Sequence, residues 1–200
     1  MSFLSKIRRT LRGNPSKGPR IVKSSTRAGD LADQLRRPIP LGAEARHWVQ
    51  KTTDRMLALQ DPHPDHRYGT VARHFAGASS GEAKLALLEQ LVRYRKAQSI
   101  LEIGTAYGLS SIAMALVPER PRIVSIDFFE PQASLGPQNL ALAGATNVEC
   151  ITENKLEALP KLAAQGKRFD FVFHDGGHAG DWYISDFDTI APMLEPRSIY

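Results

Sequence analysis

From Ser99 onward this 200-residue chain repeats one rhythm: a short β-branched or aromatic run, then a longer stretch with helical spacing. Ser99–Ile103, Arg122–Asp127, Val148–Ile151 and Phe169–His174 read as strands, and Arg197-Ser198-Ile199-Tyr200 as the start of a fifth. Helices are expected over Leu109–Leu116, around Gln138–Ala143, over Leu156–Gln165 and over Asp181–Leu194, with Pro160 near a first turn or at a break. Strands separated by helices run parallel, because a parallel pair needs a long crossover. The expected class is therefore α/β, a Rossmann-like, mostly parallel sheet with helices on both faces and an N-terminal helical extension. Such a sheet offers its ligand site outside the carboxyl ends of the strands, where the strand order reverses.

Three features gather at that end. Gly104-Thr105-Ala106-Tyr107-Gly108 follows the first strand, Asp127 ends the second, and Asp175 follows the fourth. Glycines let the backbone approach a ligand closely, and an acid at the end of the second strand can accept both hydroxyls of a ribose. That points to a nucleoside cofactor. A nicotinamide dinucleotide calls for Gly-x-Gly-x-x-Gly beneath its pyrophosphate, whereas the spacing here is Gly-x-x-x-Gly. Glu102, two residues before Gly104, would repel a pyrophosphate and suits a sulfonium or an ammonium instead. S-adenosylmethionine carries both.

The run Leu101-Glu102-Ile103-Gly104-Thr105-Ala106-Tyr107-Gly108-Leu109-Ser110 resembles motif I of class I S-adenosylmethionine-dependent methyltransferases. It is most similar to the catechol O-methyltransferase-like group that includes bacterial small-molecule O-methyltransferases. Phe169 to His178, ending in Asp175-Gly176-Gly177-His178, is similar to the Asp-Gly-x-His segment of those enzymes. The resemblance, over residues 80–200, implies that Gly104, Thr105, Ala106, Gly108 and Ser110 surround the methionine half of the cofactor. It implies that Glu102 either stabilises the loop or faces the ammonium, and that Asp127 holds the ribose. Glu153, Asn154 and Lys155 are expected near the adenine edge.

Methyl transfer from a sulfonium needs alignment and removal of the acceptor's proton. The resemblance assigns these tasks to Asp175 and His178: Asp175 as a ligand for a divalent cation such as magnesium, His178 as a general base. Whether a metal is used stays open, because the remaining ligands of metal-dependent relatives follow the fifth strand and the closing hairpin is not in this sequence. The expected reading is a methyltransferase whose C-terminal strands are truncated. The expected acceptor is a small hydroxylated metabolite or sugar. An N- or C-methyltransferase and a catalytically inactive cofactor-binding module are the alternatives.

Charge divides the chain. Residues 1–40 hold ten Lys and Arg against Asp30 and Asp33, whereas the remainder holds sixteen basic and nineteen acidic groups. The basic character thus belongs to an arm, not to the domain, and argues against a nucleic-acid partner. Phe3, Leu4, Ile7 and Leu11 share one face of that arm among Arg and Lys, so it could lie on an anionic membrane surface or act in targeting. No apolar run approaches the roughly 20 residues that cross a bilayer, and the single Cys150 forms no internal disulfide. The expected division is a basic arm at 1–40, a helical cap at 41–97 and the cofactor-binding domain at 98–200. The expected compartment is the cytoplasm, with homo-oligomers compatible. His63-x-x-His66, between Asp61 and Asp65 and interrupted by prolines, is expected to be a solvated loop rather than a metal site.

Overall fold

Every pairing in the sheet is parallel, as helical crossovers require. The computed structural model describes residues 39–177 and 182–200. The expectations for the basic arm lie outside them, except for its last two residues. Among the described residues three α-helices precede the sheet, α1 (Ala43–Leu57), α2 (Val71–Ala78) and α3 (Glu82–Arg95). The alternating part follows: β1 (Ser99–Ile103), α4 (Leu109–Ala115), β2 (Arg122–Asp127), α5 (Gln132–Leu142), β3 (Val148–Thr152), α6 (Lys155–Ala164), β4 (Phe169–His174), α7 (Trp182–Ile190) and β5 (Leu194–Ile199). The strand order is β3-β2-β1-β4-β5. The chain moves outward from β1 to β3 and then returns to the other side of β1, so the order reverses between β1 and β4. That is where a crevice for a ligand opens.

The period-2 alternation of the strands divides the core in two. Ile100, Ile123 and Phe171 face the side covered by Leu85 and Val92 of α3, Ile112 and Met114 of α4, and Leu140 of α5. Leu101, Ile103, Val124, Ile126 and Val172 face Ala158, Leu159 and Leu162 of α6 and Ile190 of α7. Burying each large aliphatic side chain is worth about 1.5–3 kcal/mol, so both layers hold the strand ends firmly.

Three local expectations need correction. The fifth strand starts at Leu194, not at Arg197. Phe169 pairs with Leu194 and Phe171 with Ile199, so a step of two residues in β4 is matched by five in β5. Pro196, which has no N–H to donate, and Arg197, at φ 67°, occupy this irregular stretch. Pro160 lies mid-way along α6, and the helix continues past it. Helix α2 was not anticipated: it has eight residues and opens on Thr70, whose hydroxyl accepts from Arg73 N–H at 3.3 Å.

The loop before α2 is also less solvated than expected. His63 is buried at 7% exposure, and its ring packs on those of Tyr68 and His74. The cause is local closure: His63 N–H donates to the Gly69 carbonyl at 2.9 Å, and Pro62 bridges Thr70. Among the described residues no group of three or more His, Cys, Asp or Glu side chains gathers to hold a metal.

Candidate active site at the carboxyl ends of β1, β2 and β4

The loop after β1 is suspended from three directions. Gly104 and Thr105 N–H both donate to the Ile126 carbonyl of β2, at 2.9 and 3.3 Å. Ala106, at φ 45°, donates its N–H to Asp127 Oδ2 at 2.7 Å. On the other side, Asp175 N–H donates to the Ile103 carbonyl at 2.9 Å. Gly104 has φ 100°, and a Cβ there would stand 3.0 Å from the Asp175 carbonyl group. Glycine is needed at this point because two backbones pass side by side.

Helix α5 closes the loop from a further side. A Cβ on Gly136 would come within 2.6 Å of the Ala106 carbonyl oxygen. Asn139 Nδ2 donates to the Tyr107 carbonyl at 2.9 Å. The Tyr107 ring is buried, its hydroxyl hydrogen-bonded to His74 Nδ1 at 2.7 Å. Burial pushes the Tyr107 phenol up to about 12 and holds His74 below its ordinary value.

Glu102 lies under the loop with no exposed surface. Ser110 and Ser125 hydroxyls donate to it at 2.6 and 2.5 Å, and Ser111 donates as well. Ser125 also shares a hydrogen bond with Thr105 Oγ1 at 2.6 Å. Burial raises the Glu102 carboxyl to about 6, against the downward pull of the hydroxyls. Of the two roles open for Glu102, the geometry corresponds to loop support. Its carboxylate, and the Ser110 hydroxyl bound to it, are engaged beneath the loop.

Asp127 accepts three backbone N–H groups: Ala106 on one oxygen, Phe128 and Phe129 at 2.8 and 3.1 Å on the other. A carboxylate has about four lone-pair sites, which leaves a direction for a ligand hydroxyl. Phe128 and Phe129 stack at 4.1 Å and are exposed at 41% and 61%. These exposed rings beside the strand-end acid were missed. Their signal was two consecutive aromatics immediately after Asp127.

The three residues after β3 that were expected at the adenine edge have other partners in the structure. Glu153, half-buried, pairs with the exposed Lys161 at 2.7 Å. Asn154 caps α6, its Oδ1 accepting from Leu156 N–H at 3.0 Å. Lys155 turns inward: Nζ donates to Asp186 Oδ2 at 2.5 Å and to the Gly176 carbonyl at 3.1 Å. Asp186, at 2% exposure, also accepts from His174 Nε2–H at 2.7 Å. A buried charge of this kind needs partners, and Asp186 claims the lysine. An adenine-edge role for these three residues therefore does not follow from their contacts.

Asp175 stands at the mouth of β4 and accepts from Lys84 Nζ of α3 at 2.5 Å. His178 lies outside the described residues. A divalent ion at Asp175 would meet a single carboxylate already held by an ammonium, so the described residues do not fit a metal. They do fit a nucleoside ligand, because Asp127 keeps an acceptor direction free beside the positive-φ loop from Gly104 to Gly108.

The family model described as "Methyltransferase domain" matches residues 101–200, half of the chain. The chain belongs to that methyltransferase-domain family. It is 33% identical over 91 residues to a catechol O-methyltransferase of Niastella koreensis, covering 44% of this chain and 41% of that protein. Catechol O-methyltransferase B of Danio rerio is 29% identical over 110 residues, covering 53% of this chain and 41% of that protein. The chain thus spans about two fifths of the length of these curated relatives, at 41%. Among solved structures, the O-methyltransferase TomG of Streptomyces achromogenes, crystallised with SAM, superposes with a TM-score of 0.59 at 28% identity. That match covers 88% of this methyltransferase-family chain and 71% of TomG.

Proposed function

We propose that the chain is an S-adenosylmethionine-dependent O-methyltransferase acting on a small hydroxylated metabolite or sugar. The observation that carries this reading is the loop from Gly104 to Gly108, hung between the Ile126 carbonyl, Asp127 and the backbone of Asp175 at the sheet's reversal point. The relatives' names and the cofactor in TomG support the reaction class. Gly104, Thr105, Ala106 and Gly108 would line the methionine half, and Asp127 the ribose. Phe128 offers an exposed aromatic face to the base.

The cofactor supplies a methyl group on a sulfonium, an electrophile with a good leaving group. The chain's part is to align the acceptor oxygen, exclude water and take the acceptor's proton. We assign the proton to His178, three residues beyond Asp175. The division into an arm at 1–40, a cap at 41–97 and a cofactor domain at 98–200 belongs to the same proposal. No helix among the described residues is long and apolar enough to cross a membrane. A cytoplasmic location is our reading. So are membrane-surface contact through the arm, self-association, and the lack of a nucleic-acid partner.

Calorimetry with S-adenosylhomocysteine and with NAD tests the cofactor, and a methyl-transfer assay over hydroxylated acceptors tests the reaction. Binding of S-adenosylhomocysteine without binding of NAD is expected. Equal affinity for NAD overturns the reading.

A further inference from the structure

We propose that Lys84 is the resident cation of the active site: its ammonium holds the Asp175 carboxylate and takes the place that a divalent metal would fill. This rests on the methyl-transfer reading above and goes beyond it by naming what charges the acceptor end of the crevice.

Lys84 sits in the first turn of α3, next to Leu85, which is fully buried against the sheet. With Leu88 and Val92 also buried on that face, the helix cannot rotate, and the root of the Lys84 side chain is fixed. From there the side chain reaches the end of β4, with Nζ 2.5 Å from Asp175 Oδ2 and 5.3 Å from the centre of the Phe173 ring. The ring face attracts the cation as the carboxylate does. Asp175 is tied at its own base by the bond from its N–H to Ile103. Both partners of the pair are therefore anchored, and both remain partly open, at 41% and 35% exposure. An ammonium has three N–H donors, so the group that binds Asp175 can also donate to an acceptor oxygen.

The charge balance argues against a second cation. A divalent ion on the same carboxylate would stand against the ammonium at a few ångströms, a like-charge contact in a half-buried site. In the reaction the C–S bond breaks with its pair retained by sulfur, the O–C bond forms, and the acceptor's proton passes to a base and from there to water. Lys84 takes no part in that proton transfer. Its role is positioning and electrostatic: it orients Asp175 and stabilises the oxygen as negative charge develops.

The test uses the full chain saturated with S-adenosylhomocysteine and titrated with Mn²⁺, followed by electron paramagnetic resonance. Wild type should bind Mn²⁺ no more tightly than about millimolar, and Lys84→Met should tighten binding by about tenfold as the competing charge is removed. In turnover, EDTA should leave wild type unchanged. Lys84→Met should lose about tenfold or more in kcat, Lys84→Arg should recover part of it, and affinity for S-adenosylhomocysteine should change little. Micromolar Mn²⁺ binding lost in Asp175→Asn, abolition of turnover by EDTA with rescue by Mg²⁺, or full activity of Lys84→Met in EDTA would each overturn the proposal. Should Lys84→Met fail to fold, the wild-type titration and Lys84→Arg still decide it. Absence of S-adenosylhomocysteine binding would instead refute the cofactor reading, and the Mn²⁺ titration of the unliganded chain would then decide the role of Lys84 on its own.

Discussion

Glu102→Gln should remove one component of the pH dependence of stability. Unfolded, the carboxyl titrates at its ordinary 4.5; folded, burial carries it to about 6. Because the folded value is the higher one, the protonated form favours the fold. The contribution is fully present below pH 4.5 and is lost as pH rises through about 6. At about 1.36 kcal/mol per decade, the loss is roughly 2 kcal/mol by neutral pH. Glutamine keeps the shape and can meet the Ser110, Ser111 and Ser125 hydroxyls, which rotate to accept or donate. It carries no charge to desolvate. Urea denaturation of both proteins across about pH 4 to about pH 7.5 should show the variant gaining roughly 2 kcal/mol on wild type, mostly between the two titration points. Parallel curves would mean that the carboxyl titrates alike folded and unfolded. A variant that loses ground as pH rises would mean that hydroxyl bonding outweighs burial, and the account of the site beneath the loop would be wrong.

Asp127→Ala should weaken S-adenosylhomocysteine binding by about 1.5–3 kcal/mol in calorimetry; unchanged affinity would place the nucleoside elsewhere. Gly136→Ala, ordinarily favourable in a helix, should here destabilise by about 1–3 kcal/mol, because the methyl would press on the Ala106 carbonyl. A neutral or stabilising result in thermal denaturation would show that the loop yields. Lys155→Met should cost about 3–5 kcal/mol in denaturant unfolding, since it leaves Asp186 buried with its main counter-charge gone. A loss under about 1 kcal/mol would mean that His174 or solvent takes over the charge.

The sheet was legible because β1, β2 and β4 are nearly continuous apolar runs ended by glycine or an acid, a pattern that depends only on neighbours along the chain. The position of Asp127 followed for the same reason. Glu102 remained ambiguous because its role depends on hydroxyls eight to twenty-three residues away that fold over it. Lys84 was invisible: it is one of several charges on a helix, and its partner lies 91 residues later. Lys155 looked like a crevice residue from its place after β3, yet the acid that captures it belongs to α7. Strand ends are local facts. The pairing of charges across the fold is not.

The close approach of Gly136 to Ala106 has a thermodynamic corollary for any ligand of this loop. With Gly104, Ala106 and Gly108 all at positive φ and braced by α5, β2 and Asp127, the loop has already surrendered its freedom during folding. Ordering a backbone residue costs about 1–2 kcal/mol, and none of that has to be met again at association. The exposed rings of Phe128 and Phe129 are the groups left to immobilise, so the entropy of binding should be set at the aromatic end of the crevice and hardly at all at its glycines.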